Sequence, residues 1–309
     1  MPTYLYNIIA SFITNRTFKV RIDTDTSEEH PIKAGVPQGS VLGPTLFNIF
    51  CYDIPVPQKC QLAMYADDTV ILTQHKNLEN SITDLQISLD QISDWFTRWK
   101  LALNPTKSEA KIFSLKRYTN PTQLKIKNQP ILWNNKDQSI KYLGVYLDEK
   151  LTWKMHINKK LNQAYTRIKI LYPLINHSST LQIKFSLLIY TSIIRPLITY
   201  ACPIWAAASQ TIIKKLQTIQ NKFLRIALKA PWFMRNTQIH NDTGIPYINT
   251  WITDQFKKFH TKLKTIEGAL HFKIGQITKN RRLKPRLPQD ILLPLESSSS
   301  SSSSVSSEQ

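Results

Sequence analysis

The chain has 309 residues, of which 42% are hydrophobic, and a formal net charge of +19. This length and composition are typical of one large or two modest folded domains with a proper core. The charge favours a polyanionic partner, nucleic acid first and an anionic membrane second, although an inert basic surface fits it as well.

The cysteines indicate the redox compartment of the protein, and its most apolar stretch decides whether a membrane span is expected. Cys51, Cys60 and Cys202 are too few and too scattered for a disulfide framework or a zinc cluster, so a reducing compartment, the cytoplasm or the nucleus, is expected. Residues 187–208 are the most apolar, but they contain Arg195 and two prolines, which indicates a buried helix and turn and not a membrane span.

The first 150 residues alternate between helical and strand patterns. Apolar residues at helical spacing open the chain, followed by the strand patterns 18–22 and 30–34 and by a Gly- and Pro-rich stretch from Gly35 to Gly43 that leads into a helix. Residues 62–65 and 69–72 predict a hairpin with an acidic tip. A long amphipathic helix from Leu78 to Trp99 and the strands 110–115 and 140–147 complete this part.

After Lys150 the pattern becomes helical. Three helices are predicted, along 157–171, 181–200 and 212–227, and beyond Lys279 the sequence is first basic and then serine-rich, which predicts a disordered tail. The predicted fold class is α+β. The predicted division is a mixed domain over 1–150, a helical region over 151–278 and a disordered tail over 279–309.

Four motifs occur in a fixed order along the chain. They are Ala34-Gly35-Val36-Pro37-Gln38-Gly39-Ser40-Val41-Leu42-Gly43-Pro44, then Tyr65-Ala66-Asp67-Asp68, then Asn104-Pro105-Thr106-Lys107-Ser108-Glu109, then Lys141-Tyr142-Leu143-Gly144. Each alone is weak, but the set in this order resembles motifs B, C, D and E of reverse transcriptases, in particular those of jockey-type non-LTR retrotransposons. The resemblance implies a partial polymerase palm followed by a helical thumb, with an RNA template and a DNA primer as partners.

Asp67 and Asp68 are the candidate catalytic and metal-binding residues. Nucleotide addition needs divalent metal ions beside the reacting phosphate, and Mg²⁺ prefers carboxylate oxygens. The resemblance implies that Asp67 ligates Mg²⁺ directly and that Asp68 contributes more to the local field. An isolated Asp-Asp pair is ordinary turn chemistry, so the assignment depends on the other motifs.

The remaining candidate residues follow from the resemblance in the same way. The loop with Gly35, Pro37, Gln38 and Gly39, together with Tyr65, is expected at the template and the incoming nucleotide. Lys107 is expected to neutralise or protonate the departing pyrophosphate. Alternatively, the loop is a plain turn and the lysine is merely solvated.

Lys222, Arg225 and Lys229 are expected to follow the phosphate backbone of nucleic acid from one side of the third helix. Such a basic row is also compatible with a solvated helix face. The basic cluster from Lys279 to Arg286 is an electrostatic patch or a localisation signal.

The first metal-binding aspartate of a reverse transcriptase palm, in motif A, has no counterpart in residues 1–34, where Asp23 and Asp25 belong to a polar turn. We therefore expect a partial polymerase that lacks its upstream fingers and endonuclease regions, or a nucleic-acid-binding remnant without catalysis. A third reading, a pure interaction protein, requires a basic surface without RNA affinity. Asp242-Thr243-Gly244 matches an aspartic protease triplet, but a single copy without a flanking apolar strand argues against that chemistry.

Overall fold

The computed structural model describes residues 2–118, 121–134, 138–266 and 291. Its contacts divide the chain into two compact units. One comprises Met1–Ala110 with Tyr118–Trp133, and the other comprises Lys111–Arg117 with Asn134–Gln309. Helices and short, mainly antiparallel sheets confirm the predicted α+β class. The predicted tail beyond Lys279 lies outside the described residues, apart from residue 291.

The first unit opens with helix α1 (Thr3–Ile13) and two small antiparallel pairs. Strand β1 (Arg16–Phe18) pairs with β4 (His30–Ile32), and β2 (Arg21–Ile22) pairs with β3 (Asp25–Thr26). Helix α2 (Leu42–Phe50) follows. Helix α1 buries no residue and α2 buries only Gly43, so this part of the unit leaves its apolar side chains largely exposed.

The acidic motif lies on the next element pair. Strands β5 (Gln61–Tyr65) and β6 (Asp68–Leu72) form the predicted antiparallel hairpin, and α3 (Leu78–Arg98) is the predicted long helix. The side chain of Asn77 starts α3 by accepting a hydrogen bond from the Glu79 amide at 3.0 Å, as an N-cap residue does.

The unit ends in a small sheet region with a modest core. Strand β7 (Glu109–Ala110) pairs in parallel with β10 (Leu132–Trp133), and β8 (Lys125–Ile126) pairs with β9 (Gln129–Pro130). The predicted strand 110–115 is wrong beyond Ala110, because only two residues of β7 find a partner. One buried apolar cluster of this unit consists of Ile82, Ala110, Leu124, Ile126 and Ile131.

The second unit starts with a hairpin and is otherwise helical. Strands β11 (Ile140–Tyr142) and β12 (Val145–Leu147) precede the helices α4 (Lys154–Ile175), α5 (Ile183–Ile189), α6 (Arg195–Ile198), α7 (Cys202–Trp205), α8 (Gln210–Ala227), α9 (Asn236–Thr243) and α10 (Ile248–Thr265). A π-helical turn, Tyr190–Ile194, lies between α5 and α6. The contacts group the β11–β12 hairpin with these helices, and the predicted boundary at residue 150 stays a prediction.

The core of the second unit is large and continuous. Amphipathic spacing on α4 and α8 brings Leu161, Ala164 and Ile168 together with Leu216 and Phe223. Helix α10 adds Ile252 and Phe256, and Trp205 is fully buried. In the described part of the chain, no helix combines the length and the hydropathy that crossing a membrane requires.

Candidate active site and nucleic-acid surface

Asp67 and Asp68 lie at the tip of the β5–β6 hairpin, and both are exposed. Tyr65 stands opposite Asp68 in the strand register, so the loop itself is only Ala66 and Asp67. Ala66 adopts a left-handed backbone conformation with a φ of 51°, which closes this tight turn. The tip therefore presents two adjacent carboxylates to solvent on a short hairpin.

The carboxylates satisfy part of what a Mg²⁺ site needs. They offer hard oxygen ligands at one exposed point, which suits the ion. Among the described residues, no group of three or more His, Cys, Asp or Glu side chains has a metal-binding arrangement, so the other ligand positions are not supplied there. Asp23 and Asp25 lie at the β2–β3 hairpin, as the sequence indicated.

The loop from Gly35 to Gly43 is fixed at both ends. At its start, the guanidinium of Arg16 donates hydrogen bonds to the carbonyls of Ala34 at 3.2 Å and Gly35 at 2.6 Å, and also to that of Ile13. Gly35 has a φ of 76°, a conformation that side chains rarely adopt. Arg16 was not singled out from the sequence, because its carbonyl acceptors are brought to it only by the β1–β4 pairing.

At the other end of the loop, Ser40 joins the turn to α2. Its hydroxyl donates to the Pro37 carbonyl at 2.8 Å and accepts from the Gly43 amide at 3.0 Å. A Cβ on Gly43 would lie 2.9 Å from the Ser40 Oγ and 3.1 Å from the Pro37 carbonyl, so a side chain at this position would displace the Ser40 hydroxyl. Gln38 and Gly39 between these anchors are exposed, which leaves the apex accessible to a ligand.

Lys107 lies in a turn that Asn104 organises. The Asn104 Oδ1 accepts from the amides of Thr106 at 3.0 Å and Lys107 at 3.3 Å. The lysine is exposed, and among the described contacts none joins it to the acidic hairpin. Its role at the site stays a prediction.

The fourth motif is held by a close contact with Tyr200. The Tyr200 hydroxyl donates to the Leu143 carbonyl at 2.8 Å, and a Cβ on Gly144 would lie 3.1 Å from the tyrosine ring. Two lysines of α4 lie over aromatic rings here, Lys159 over Tyr146 at 3.7 Å and Lys160 over Tyr200 at 4.4 Å. The hairpin thus packs against a cationic helix.

The three predicted backbone-binding cations differ in their surroundings. Lys222 is exposed, with its ammonium 5.3 Å from the Tyr165 ring centroid. Lys229 donates to the Ser179 carbonyl at 2.8 Å. Arg225 donates to the carbonyls of residues 231, 232 and 234 and to the Asn236 side chain. Contact of the three with phosphates stays a prediction, and two of them already bind the chain's own carbonyls.

A long segment without acidic residues was not identified as a feature of the sequence above. The 92 residues from Lys150 to Asn241 contain no aspartate or glutamate. The same stretch contains fourteen basic residues: Lys150, Lys154, Lys159, Lys160, Arg167, Lys169, Lys184, Arg195, Lys214, Lys215, Lys222, Arg225, Lys229 and Arg235. Counting charge by segment would have found it. We call residues 150–241 the acid-free region. At neutral pH the charged side chains of this segment are therefore all positive, which favours attraction of phosphates.

The Asp242-Thr243-Gly244 triplet is the end of a helix. Asp242 lies in the last turn of α9 and accepts from the Gln238 side chain, and Gly244 ends the helix with a φ of 65°. Glycine is common at this position because it adopts the left-handed conformation without strain. The triplet therefore lacks the setting of an aspartic protease.

Comparison with known proteins agrees with the motifs. Residues 1–147 match the reverse transcriptase (RNA-dependent DNA polymerase) family. The chain is 34% identical over 94% of its length to a probable RNA-directed DNA polymerase from the transposon X-element of Drosophila melanogaster, of which it covers 32%. It is 32% identical to the RNA-directed DNA polymerase from the mobile element jockey of the same species, with 94% of this chain and 33% of the relative covered.

A third relative, the RNA-directed DNA polymerase from jockey of Drosophila funebris, is 33% identical over 93% of this chain, and 33% of it is covered. The chain thus spans about a third of the length of these curated relatives. The motifs in their order, the match over residues 1–147 and the similarity along nearly the whole chain show that it belongs to the reverse transcriptase family, among the RNA-directed DNA polymerases of jockey-like non-LTR transposons.

Proposed function

We propose that this chain is part of an RNA-directed DNA polymerase that, in the intact element, extends a primer 3′-hydroxyl on an RNA template. The observation that carries the proposal is the exposed Asp67-Asp68 pair at the tip of a hairpin with a two-residue loop. Two carboxylates at one accessible point suit the metal-dependent chemistry of nucleotide addition. The upstream endonuclease and fingers regions of the same element would complete the enzyme.

In this proposal Asp67 and Asp68 would hold Mg²⁺. When bound, the ion stabilises the attacking and leaving oxygens. The loop with Gly35, Pro37, Gln38 and Gly39 would contact the template and the incoming nucleotide. Its exposed apex between two anchors supports that role, since a fixed backbone loses little entropy on binding. Tyr65 would lie beside the nucleotide.

Lys107 would neutralise or protonate the pyrophosphate as it leaves. Its position in an ordered turn, with an exposed ammonium, supports this role. The same proposal places the protein in both the cytoplasm and the nucleus, with an RNA template and a DNA primer as its partners.

A second candidate function is nucleic-acid binding without catalysis. Two observations favour it for the 309-residue chain by itself. The described residues do not bring a third acidic side chain to Asp67 and Asp68. The acid-free region, in contrast, needs no further segment to attract phosphates. Lys222, Arg225 and Lys229 belong to this region.

A chimera separates the two candidates. The matching third of the jockey polymerase is replaced by this chain, and primer extension on an RNA template is measured with Mg²⁺. We expect extension, a loss of several orders of magnitude in Asp67→Asn, and little change in the matched control Asp94→Asn, an exposed aspartate of α3. A chimera that binds template and primer but does not extend would favour the second candidate. Equal activity of the two variants would contradict the role of Asp67.

A further inference from the structure

The connection between α8 and α9 carries two exposed aromatic rings. Trp232 is 89% exposed and Phe233 is 70% exposed, and their rings lie edge to face with centroids 5.9 Å apart. Leaving two large rings in water forgoes the free energy that burial of apolar surface provides. The exposure of these two rings therefore indicates a surface that a ligand covers.

The rings are held at the apex of an ordered turn. The Met234 amide donates to the Pro231 carbonyl at 3.1 Å, so Trp232 and Phe233 are the two central residues. Ala230 and Met234, on either side of the apex, pack against the core of the helical unit. We call residues 231–234 the aromatic turn. Its base is anchored while its tip projects into solvent.

Arg225 fixes the aromatic turn from within. One terminal nitrogen donates to the Met234 carbonyl at 2.8 Å and to the Asn236 Oδ1 at 3.0 Å. The other donates to the Pro231 carbonyl at 3.0 Å and to the Trp232 carbonyl at 2.9 Å. Four of the five N–H donors of a guanidinium are used in this way. Such a pre-organised turn loses little conformational entropy when a ligand binds.

The charges around the aromatic turn indicate the chemistry of the ligand. Lys229 precedes it, the exposed Arg235 follows it, and the whole turn lies within the acid-free region. Exposed aromatic rings beside cations are the combination that binds single-stranded nucleic acid, where bases stack on rings and cations follow phosphates. In a duplex the base faces are already stacked on each other, so unpaired bases fit better.

We propose that the aromatic turn is a stacking platform for unpaired nucleobases, with Trp232 and Phe233 as the stacking rings and Arg225 as the residue that positions them. This inference rests on the proposed nucleic-acid binding of the chain and adds a base-dependent component to it. Phosphate attraction alone would not distinguish a strand with bases from one without.

The test compares a single-stranded oligonucleotide with an abasic strand of the same length, which has the same phosphates but no bases. We expect the 309-residue chain to bind the base-bearing strand about tenfold more tightly or better. The Trp232→Ala/Phe233→Ala variant should bring that ratio close to one without changing the affinity for the abasic strand. A matched control, Tyr172→Ala/Phe185→Ala, removes two rings of the same unit that are 49% and 47% exposed and should keep the ratio.

A third variant tests the positioning residue. Arg225→Lys keeps the charge but loses the four-way hydrogen bonding, so the ratio should fall while the salt dependence of abasic binding stays the same. A wild-type ratio near one with salt-sensitive binding would overturn the platform and leave the proposed nucleic-acid binding intact. Unchanged ratios in the ring variant would also overturn it. No binding to either strand at low salt would overturn both.

An anionic phosphatidylserine vesicle provides the remaining comparison, because exposed tryptophan also suits a membrane interface. We expect vesicle binding to be the same for the wild type and the ring variant. If the ring variant instead lost vesicle binding and retained the base-dependent ratio, the aromatic turn would be a lipid contact and the platform would be wrong.

Discussion

The guanidinium of Arg225 donates a hydrogen bond of 2.8 Å to the carbonyl of Met234, nine residues further along the chain. Together with three further hydrogen bonds from the same guanidinium, this bond fixes the turn that follows α8. Arg225 is therefore a structural residue of the helical unit. Lys222, one helical turn earlier, has no comparable set of carbonyl partners among the described contacts. The two cations should therefore respond differently to substitution.

Replacing Arg225 with alanine should lower the free energy of unfolding of the helical unit by about 2 kcal/mol. The reason is that the carbonyls of residues 231, 232 and 234 lose the charged guanidinium that donates to them. Lys222→Ala, on an exposed face, should change it by less than about 0.5 kcal/mol. Denaturant unfolding followed by circular dichroism measures both. An Arg225→Ala effect as small as the one expected for Lys222→Ala would show that these hydrogen bonds contribute little to stability.

A second prediction concerns pH and the buried His156. Burial, with a smaller contribution from the nearby charge of Lys160, lowers the pKa of His156 from 6.5 to about 4. The neutral form is favoured in the fold, so the unfolded chain binds the proton first as the pH falls. Stability should decrease as the pH falls from 6.5 towards 4, by up to about 3 kcal/mol, and no further from this group below that range.

His156→Asn removes the titrating group and keeps a polar side chain at this position. Its free energy of unfolding should lose this acid-dependent slope, whereas His177→Asn, at an exposed position, should keep it. The measurement is denaturant unfolding at several pH values across the window. A slope that persists in His156→Asn would assign the acid sensitivity to another group.

A third prediction concerns the hairpin that carries the acidic pair. In the described structure β5 and β6 pair only with each other, and an isolated two-stranded hairpin is marginal in water. The amides of residues 61–72 should exchange with solvent much faster than those of α8, which packs in the large core. Adding the upstream polymerase region of jockey should slow the exchange of the hairpin if that region pairs with an open strand edge.

Hydrogen exchange followed by mass spectrometry distinguishes these cases. Helix α4 serves as the internal control, because its buried face belongs to the same core as α8. Strong protection of residues 61–72 in the chain alone would mean that the open edge is already covered, for example by a second copy of the chain.

The sequence predicted elements well where apolar spacing is long and regular. Helix α3 was predicted from Leu78 to Trp99 and spans Leu78–Arg98. Helix α10 was missed, although Ile248, Ile252 and Phe256 recur at four-residue spacing and are all buried. Helix α9 offers no such signal, because only Ile239 and His240 are buried along it.

The sequence could not predict elements and residue roles that depend on contacts with residues far away in the chain. The strand predicted over 110–115 ends at Ala110, since strand length is decided by the partner strand and not by local pattern. The predicted helix 181–200 contains a π-helical turn that no residue pattern predicts. Arg225 was assigned to phosphates because nothing in the sequence shows that the following turn directs three carbonyls towards it.

Both candidate functions include binding of nucleic acid, and we propose that the acid-free region attracts its phosphates. The most direct test of this claim is the salt dependence of binding to a single-stranded oligonucleotide by the 309-residue chain. Each phosphate contact contributes about 0.7 to the slope of log affinity against log salt concentration for single strands. Replacing the exposed Lys184, Lys214 and Lys215 of the acid-free region with glutamine should lower that slope by about two. The matched control removes three exposed charges of the first unit, Lys76, Arg98 and Lys100, and should leave the slope unchanged. A wild-type slope near zero, or equal flattening by the two triple variants, would contradict the claim.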